Sequence, residues 1–164
     1  MINQIVIVDE QDDGLGDFFG LCADHAHSLC TEHPCNINNQ QFGSDDVSTK
    51  NISDILSNVN QRGFIFLSFV HGDNNSMFNG SECFVSTTDN YYLFSNSFIY
   101  TFSCYTGNDL ADTLLMNGVI AFLGYSKEAW VLPSYFDEFK KAAMSGYNHF
   151  LNGDSAIIAY NRMI

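Results

Sequence analysis

The sequence predicts an α/β fold, a three-layer sandwich in which helices cover both faces of a mostly parallel central sheet. Short apolar runs rich in β-branched and aromatic residues recur along the chain, and each has the length of a buried strand. Segments with apolar residues at helical spacing separate these runs, as expected for parallel strands joined by crossover helices. The length of 164 residues, 46% of them hydrophobic, fits one domain over residues 1–164.

The first part of the chain predicts a buried strand, a helix and a short edge strand. A β-branched run at 5–8 leads into an acidic loop at 9–13, which is typical of a strand that ends at the surface. Apolar residues at helical spacing follow over 15–30, and the helix must end before Pro34. The next segment is polar, and only Ile37 and Phe42 suggest a short edge strand within it.

The middle of the chain predicts a second helix, a central strand and a hairpin. A second helical stripe begins near Ser48 and is closed by Gly63, and an almost wholly apolar strand at 64–70 follows. That strand ends at His71. The stretch 73–97 is polar and rich in turn residues, so we expect a hairpin there. Its candidate strands are Cys83–Ser86 and Tyr91–Phe94.

The last part of the chain returns to alternation. A second central strand at 98–102 ends just before Cys104, a helix over 110–118 follows, and 119–123 is again a continuous apolar strand. Apolar residues at helical spacing over 136–150 predict an amphipathic helix, with acidic residues in its first turn where the helix dipole favours them. The candidate caps of one last helix are Asp154 and Ser155.

Charge and composition restrict the partners. With 6 basic and 19 acidic residues, a net charge of −13 repels phosphate backbones and anionic lipid, so we expect no nucleic acid, no membrane and, if anything, a basic protein or peptide substrate. No apolar run approaches the roughly 20 residues of a membrane span, and no signal-like segment stands at the start, so we expect a cytoplasmic protein. Five unevenly spread cysteines fit reduced thiols. No cofactor or metal is expected, and the oligomeric state is left open.

His71 and Cys104 are the candidate catalytic pair. Each follows an apolar strand that should end at the carboxyl edge of the sheet, where open α/β sheets bind their ligands. An imidazole beside a thiol stabilises the thiolate and later protonates the leaving group. The backbone amides of Gly72 and Cys104 could bind an oxyanion, with Gly107 relieving crowding nearby. Together these residues supply the minimal parts of an acyl-transfer site.

The order of these motifs resembles the caspase-like superfamily of cysteine peptidases, which includes caspases, metacaspases, gingipain-type peptidases and CHAT domains. Here it runs apolar strand, His71-Gly72, hairpin, apolar strand, Ser103-Cys104-Tyr105-Thr106-Gly107, helix and apolar strand. The gingipain and CHAT branches are the most similar, since residues 116–124 resemble their strand after the cysteine and 152–156 the start of their C-terminal helix. The resemblance covers about residues 60–160.

This resemblance implies a caspase- or gingipain-like fold and a cysteine endopeptidase. His71 is then the general base or acid, Cys104 the nucleophile, and the amides of Gly72 and Cys104 the oxyanion hole. Ser103 and Trp130 are expected among the substrate-binding residues, within or near a pocket shaped by the loop after the following strand, although such a tryptophan more commonly packs in a core or anchors its loop. No basic residue flanks the pair, so cleavage after aspartate is not expected.

Several alternatives stay open. A caspase-like domain that has lost hydrolysis would serve as a binding or assembly module, and a flavodoxin-like ligand-binding domain would make the pair coincidental. The acidic loop 9–13 resembles the metal-binding loop of a receiver-like fold, but that leaves the His-Gly and Cys segments unexplained. A cluster of cysteines and histidines suggests zinc, yet helical spacing turns its side chains in different directions, so we expect none. Its members are Cys22, His25, His27, Cys30, His33 and Cys35.

Overall fold

The computed structural model describes residues 4–11, 14–35, 37–59 and 63–163, which form eight strands and five α-helices. In chain order these are β1 (Gln4–Asp9), α1 (Gly16–Glu32), β2 (Asn38–Phe42), α2 (Thr49–Val59), β3 (Phe64–Phe69), β4 (His71–Gly72), β5 (Ser76–Asn79), β6 (Glu82–Ser86), β7 (Ser97–Phe102), α3 (Asp109–Met116), β8 (Ala121–Leu123), α4 (Phe136–Leu151) and α5 (Ala156–Met163). The predicted alternation of strands and helices is confirmed, including the short edge strand, which is β2. None of the helices in these ranges combines the length and apolar character that crossing a membrane requires.

Five parallel strands form the central sheet in the order β2-β1-β3-β7-β8. After β1 the chain adds β2 on one side. It then crosses to the other side of β1, where β3, β7 and β8 are added in turn. The direction of winding therefore reverses between β1 and β3. In open α/β sheets, ligands bind beyond the carboxyl ends of the strands at such a reversal. The ends of β1 and β3 are thus the place at which a functional site is expected.

Two layers of side chains bury the faces of this sheet, which confirms the three-layer α/β sandwich. Alternation along β1 sends Ile5 and Ile7 to one face and Val6 and Val8 to the other. On the first face α1 and α4 cover the sheet, with Phe18 at its centre. The second face is covered mainly by α2, α3 and β6. A fully buried side chain such as Phe18 stabilises the fold by about 1.5–3 kcal/mol.

A second, antiparallel sheet follows β3 directly and contains β4, β5 and β6. This confirms the predicted hairpin but corrects its parts. The predicted strand at Tyr91–Phe94 is wrong, because this segment is a 3-10 turn that inserts Phe94 against Phe66, with ring centroids 5.0 Å apart. The sequence does not predict the strand β5, because its mixed polar sequence shows no alternating pattern.

Candidate active site

Three neighbouring strand ends carry the candidate site, with Glu10 after β1, His71 after β3 and Cys104 after β7. Phe69 and Phe102 are the last paired residues of β3 and β7, and His71 and Cys104 each stand two residues further along. The amide of Val70 donates to the carbonyl oxygen of Phe102 at 3.3 Å, which holds the two segments together beyond the sheet. His71 and Cys104 therefore occupy matching positions on neighbouring segments. Adjacent strands of a sheet run about 4.8 Å apart.

The imidazole of His71 is held from one side by α1. Its ring meets the ring of Phe19 edge-on, with centroids 5.5 Å apart. This contact requires α1 to begin very close to the end of β1, and a Cβ on Gly16 would lie 2.6 Å from the carbonyl group of Gln11. Only glycine allows that approach. The side chain of His71 keeps 37% of its surface exposed, so a substrate at the sheet edge can reach it.

Glu10 is the site residue that the sequence did not single out. Its side chain is only 1% exposed, and its Oε2 lies 3.6 Å from the Nε2 of His71. The Glu10 amide donates to the carbonyl oxygen of Phe69 at 3.1 Å, which extends the pairing of β1 with β3 and carries the side chain to the histidine. Burying a carboxylate costs free energy unless a partner compensates it, and the imidazole of His71 is placed to be such a partner. The missed signal was its position, directly after the first strand.

The sulfur of Cys104 is fixed by the loop that follows β8. The amide of Ala129 donates a hydrogen bond to the sulfur at 3.4 Å. The thiol in turn donates to the carbonyl oxygen of Ala129, with the sulfur 3.9 Å from that oxygen. Ala129 and Phe102 both belong to the face covered by α1 and α4, on which His71 also meets Phe19. The sulfur and the imidazole therefore face the same side of the sheet.

The loop after β8 runs antiparallel to the turn that carries Cys104. The Gly107 amide donates to the Tyr125 carbonyl oxygen at 2.9 Å, and the Tyr105 amide to that of Lys127 at 3.3 Å. Tyr105 itself has a φ of 61°, a left-handed backbone conformation that residues other than glycine rarely adopt. Such strain persists only where the surroundings enforce it, and it clusters at functional turns.

Trp130 lies in this loop, next to Ala129, and is 74% exposed. Packing in the core, the commoner role for a tryptophan, is therefore excluded. The indole is available at the surface, next in the chain to the residue that contacts the sulfur of Cys104, as a wall of a substrate channel would be.

Gly72 brings the backbone of β4 against the turn after β7. A Cβ on this residue would lie 2.6 Å from the Cγ2 of Thr106 and 2.9 Å from the carbonyl oxygen of Cys104. The amide of Asp73 donates to the carbonyl oxygen of Ser76 at 3.0 Å. Because bonded and non-bonded pairs alternate along antiparallel strands, Gly72 and Met77 form a non-bonded pair, and the Gly72 amide points away from β5. This amide is thus placed outside the small sheet, as an oxyanion donor must be.

The predicted role of Ser103 in substrate binding is corrected by its burial. Only 1% of this residue is exposed, and its hydroxyl accepts a hydrogen bond from the hydroxyl of Thr101 at 2.8 Å. Consecutive residues of an extended segment point to opposite faces, so Ser103 turns into the fold when Cys104 turns toward the helices α1 and α4. Its side chain supports the turn from below and does not line the open edge.

The cysteine and histidine cluster between Cys22 and Cys35 does not assemble. Cys22 and Cys30 are buried, and the sulfur of Cys30 lies 2.8 Å from the hydroxyl of Tyr147, whereas His25 and His27 are exposed. Burial raises the pKa of the Cys22 thiol to about 12, which makes it a poor nucleophile. Within the four described ranges no group of three or more histidine, cysteine or acidic side chains could hold a metal ion. In the acidic loop, Asp12 and Asp13 lie outside the described residues.

Matches to known proteins are found among solved structures. No protein-family model matches the sequence, and no curated protein matches it. Eleven chains of solved structures match, among them the response regulator domain of CheB from Thermotoga maritima. That domain is 12% identical, and the match covers 94% of this chain and 100% of that one with a TM-score of 0.49.

Proposed function

We propose that this chain is a cysteine endopeptidase of caspase-like fold, which cleaves peptide bonds through an acyl-enzyme on Cys104. The observation that carries the proposal is the matching position of His71 and Cys104 beyond the ends of two adjacent parallel strands. The small antiparallel sheet directly after the histidine strand supports the same assignment, because the resemblance to the superfamily includes a hairpin at that point. The site also lies beside the reversal of the sheet's winding.

In the proposed reaction, His71 takes the thiol proton and the Cys104 sulfur attacks the peptide carbonyl carbon. The new carbon–sulfur bond moves the carbonyl electron pair onto oxygen, where the amides of Gly72 and Cys104 would hold the charge. Collapse of this intermediate breaks the carbon–nitrogen bond, and His71 gives its proton to the departing amine. Water, deprotonated by His71, then attacks the thioester and frees the acid product and the thiol.

Glu10 has a supporting role in this scheme. A carboxylate beside the histidine orients the ring and stabilises the imidazolium that forms while the proton is held, without itself taking the proton. The distance of 3.6 Å between Glu10 Oε2 and His71 Nε2 supports that role. Because Glu10 is buried, solvent screens its charge little.

The proposed substrates are proteins or peptides with basic character, bound along the loop that carries Trp130. The net charge of −13 favours cationic chains over anionic ones, and no basic residue stands next to His71 or Cys104 in the sequence. Trp130 offers an exposed apolar surface in the loop whose Ala129 contacts the sulfur of Cys104. We place the activity in the cytoplasm, where a thiol nucleophile stays reduced.

Alkylation of the native protein tests the dyad. With limiting iodoacetamide, we expect Cys104 to be modified faster than Cys35, although Cys35 is more exposed and serves as an internal control. Changing His71→Ala should remove this preference and leave the rate at Cys35 unchanged, since the imidazole activates only Cys104. Peptide mapping by mass spectrometry gives both rates. Modification of Cys104 no faster than Cys35 would favour a binding or assembly module that does not hydrolyse.

A peptide library then tests the reaction. Wild-type protein should cleave a subset of peptides, and Cys104→Ala should cleave none of them. Enrichment of lysine or arginine near the cleaved bond would support the proposed substrate class, whereas cleavage after aspartate would contradict it. Equal cleavage by wild type and Cys104→Ala would show a contaminating peptidase and count against the proposal.

A further inference from the structure

Thr106 lies directly beneath the candidate oxyanion hole and is fully buried. Its hydroxyl donates to the carbonyl oxygen of Ser103 at 3.1 Å. Its methyl carbon occupies the space beside Gly72, where a Cβ would come within 2.6 Å of it. One side chain therefore contacts both backbone segments that carry the candidate oxyanion donors, the amides of Gly72 and Cys104.

The hydroxyl bond controls the direction of the Cys104 amide. The carbonyl of Ser103 and the amide of Cys104 belong to the same peptide group, which is planar and trans, so the two bonds point in opposite directions. A hydrogen bond that fixes the carbonyl also fixes the amide. This constraint matters because the residue after Cys104, Tyr105, has a strained left-handed conformation. Without the hydrogen bond, the turn could relax that strain by rotating the peptide group between Ser103 and Cys104.

Thr106 is itself anchored to the rigid part of the fold. Its carbonyl oxygen accepts a hydrogen bond from the Ala111 amide at 3.1 Å, in the first turn of α3. The side chain of Ser103 is held at the same time by Thr101 of β7, whose hydroxyl receives a bond from Ser68 of β3 at 2.8 Å. The peptide between Ser103 and Cys104 is thus fixed from the helix through Thr106 and from the sheet through Ser103.

We propose that Thr106 is a positioning residue of the oxyanion hole. Its hydroxyl aims the Cys104 amide, and its methyl group sets how closely Gly72 approaches the turn. The inference rests on the proposed function and goes beyond it, since Thr106 supplies neither the sulfur, nor the imidazole, nor a donor amide of the proposed reaction. Reactions that place negative charge on a carbonyl oxygen should depend on Thr106, and reactions of the same sulfur that do not should be indifferent to it.

Two reactions at Cys104 separate these cases. With p-nitrophenyl acetate, the sulfur bonds to the carbonyl carbon and the electron pair of the double bond moves to oxygen. Collapse then restores the carbonyl and breaks the ester bond, releasing p-nitrophenolate. With iodoacetamide, the carbon–sulfur bond forms as iodide leaves, and no oxyanion arises. The ratio of the two rates at Cys104 reports the oxyanion hole, after subtraction of the acylation seen with Cys104→Ala.

Two substitutions divide the hydroxyl from the methyl group. Thr106→Val keeps the shape and removes the hydroxyl, and we expect acylation of Cys104 to slow by about 10- to 100-fold, less than the loss of a whole donor. Alkylation should stay within about twofold of wild type, because no oxyanion forms in it. Thr106→Ser keeps the hydroxyl and should restore most of the acylation rate.

The outcomes that overturn the inference are specific. An equal loss of both rates in Thr106→Val would make Thr106 a packing residue, and an unchanged ratio would deny its hydroxyl any positioning role. If Thr106→Val does not fold, Thr106→Ala and Thr106→Ser give the same comparison, because both lack the methyl group and only serine has the hydroxyl. Fast, His71-dependent alkylation with an unchanged ratio overturns the role of Thr106 alone. Slow alkylation of wild-type Cys104 overturns the proposed function and this inference together.

Discussion

The Nε2 atom of His71 lies 3.6 Å from the Oε2 atom of Glu10, a carboxylate that is almost completely buried. These residues follow β1 and β3, the two strands between which the winding of the sheet reverses. Pairing with β3 continues one residue past the end of β1, through the hydrogen bond from the Glu10 amide to the carbonyl oxygen of Phe69. A doubly wound sheet therefore brings a carboxylate to the histidine by backbone pairing alone, with no dedicated loop.

Glu10→Gln tests whether this carboxylate supports the histidine. The amide keeps the size of the side chain and removes its charge, so stabilisation of the imidazolium is lost. We expect kcat for peptide cleavage to fall by about 10- to 100-fold with little change in KM, because the group acts on proton transfer and not on substrate binding. Asp17→Asn, which neutralises an exposed carboxylate on α1, is the matched control and should leave kcat unchanged. An unchanged kcat in Glu10→Gln would reduce Glu10 to a structural residue.

Gly72→Ala tests the close approach of β4 to the turn after β7. The new methyl group would meet Thr106 Cγ2 at 2.6 Å, the Cys104 carbonyl oxygen at 2.9 Å and Ser103 Cβ at 3.0 Å, and backbone atoms cannot yield cheaply. We expect the free energy of unfolding to fall by about 1–3 kcal/mol, measured by urea titration, together with a slower acylation of Cys104. Gly14→Ala is the control, because nothing lies within 4 Å of its Cβ position. Equal stability of the two variants would contradict the packing described here.

The sequence predicts the fold, and the positions of His71 and Cys104 just after two strands, because both depend on local pattern. Apolar runs mark the central strands, and the residues just after those runs mark the carboxyl edge of a parallel sheet. The sequence does not single out Glu10, because one acidic residue among several in a polar loop is typical of solvated surface, and its burial depends on pairing between β1 and β3. The burial of Ser103 was within reach, since a residue next to Cys104 on an extended segment must face the other side. The exposure of Trp130 was not, because loop conformation depends on contacts with distant residues.

Trp130→Ala tests the assignment of the indole to the substrate side. Because the residue is 74% exposed, its loss should change the free energy of unfolding by no more than about 0.5 kcal/mol. KM for cleaved peptides should rise severalfold while the alkylation rate of Cys104 stays constant, since the indole binds substrate and does not activate the sulfur. Tyr92→Ala removes another exposed aromatic ring, 59% exposed and outside the loop after β8. This control should change neither KM nor the alkylation rate of Cys104. A large loss of stability in Trp130→Ala would mean that the indole holds the loop.

Asp9 predicts a pH dependence of stability. It is fully buried at the end of β1, where burial raises the pKa of its carboxyl above the usual 3.8, and hydrogen bonds from Gln11 and Gln41 offset only part of this effect. The folded protein therefore holds this proton more tightly than the unfolded chain does. Its contribution to stability is fully present below pH 3.8 and is lost as the pH rises through the raised pKa of the folded state.

Comparison with Asp9→Asn isolates that contribution, because asparagine does not titrate. Whatever fixed difference the altered hydrogen bonds introduce, the free energy of unfolding of wild type should decline relative to the variant as the pH rises from acid toward neutral. Urea titrations at a series of pH values measure the difference. Asp17→Asn serves as the control, since its carboxylate is exposed. A difference between wild type and Asp9→Asn that stays constant, or that grows in favour of wild type with rising pH, would mean that the buried carboxyl is better stabilised in its charged form than burial allows.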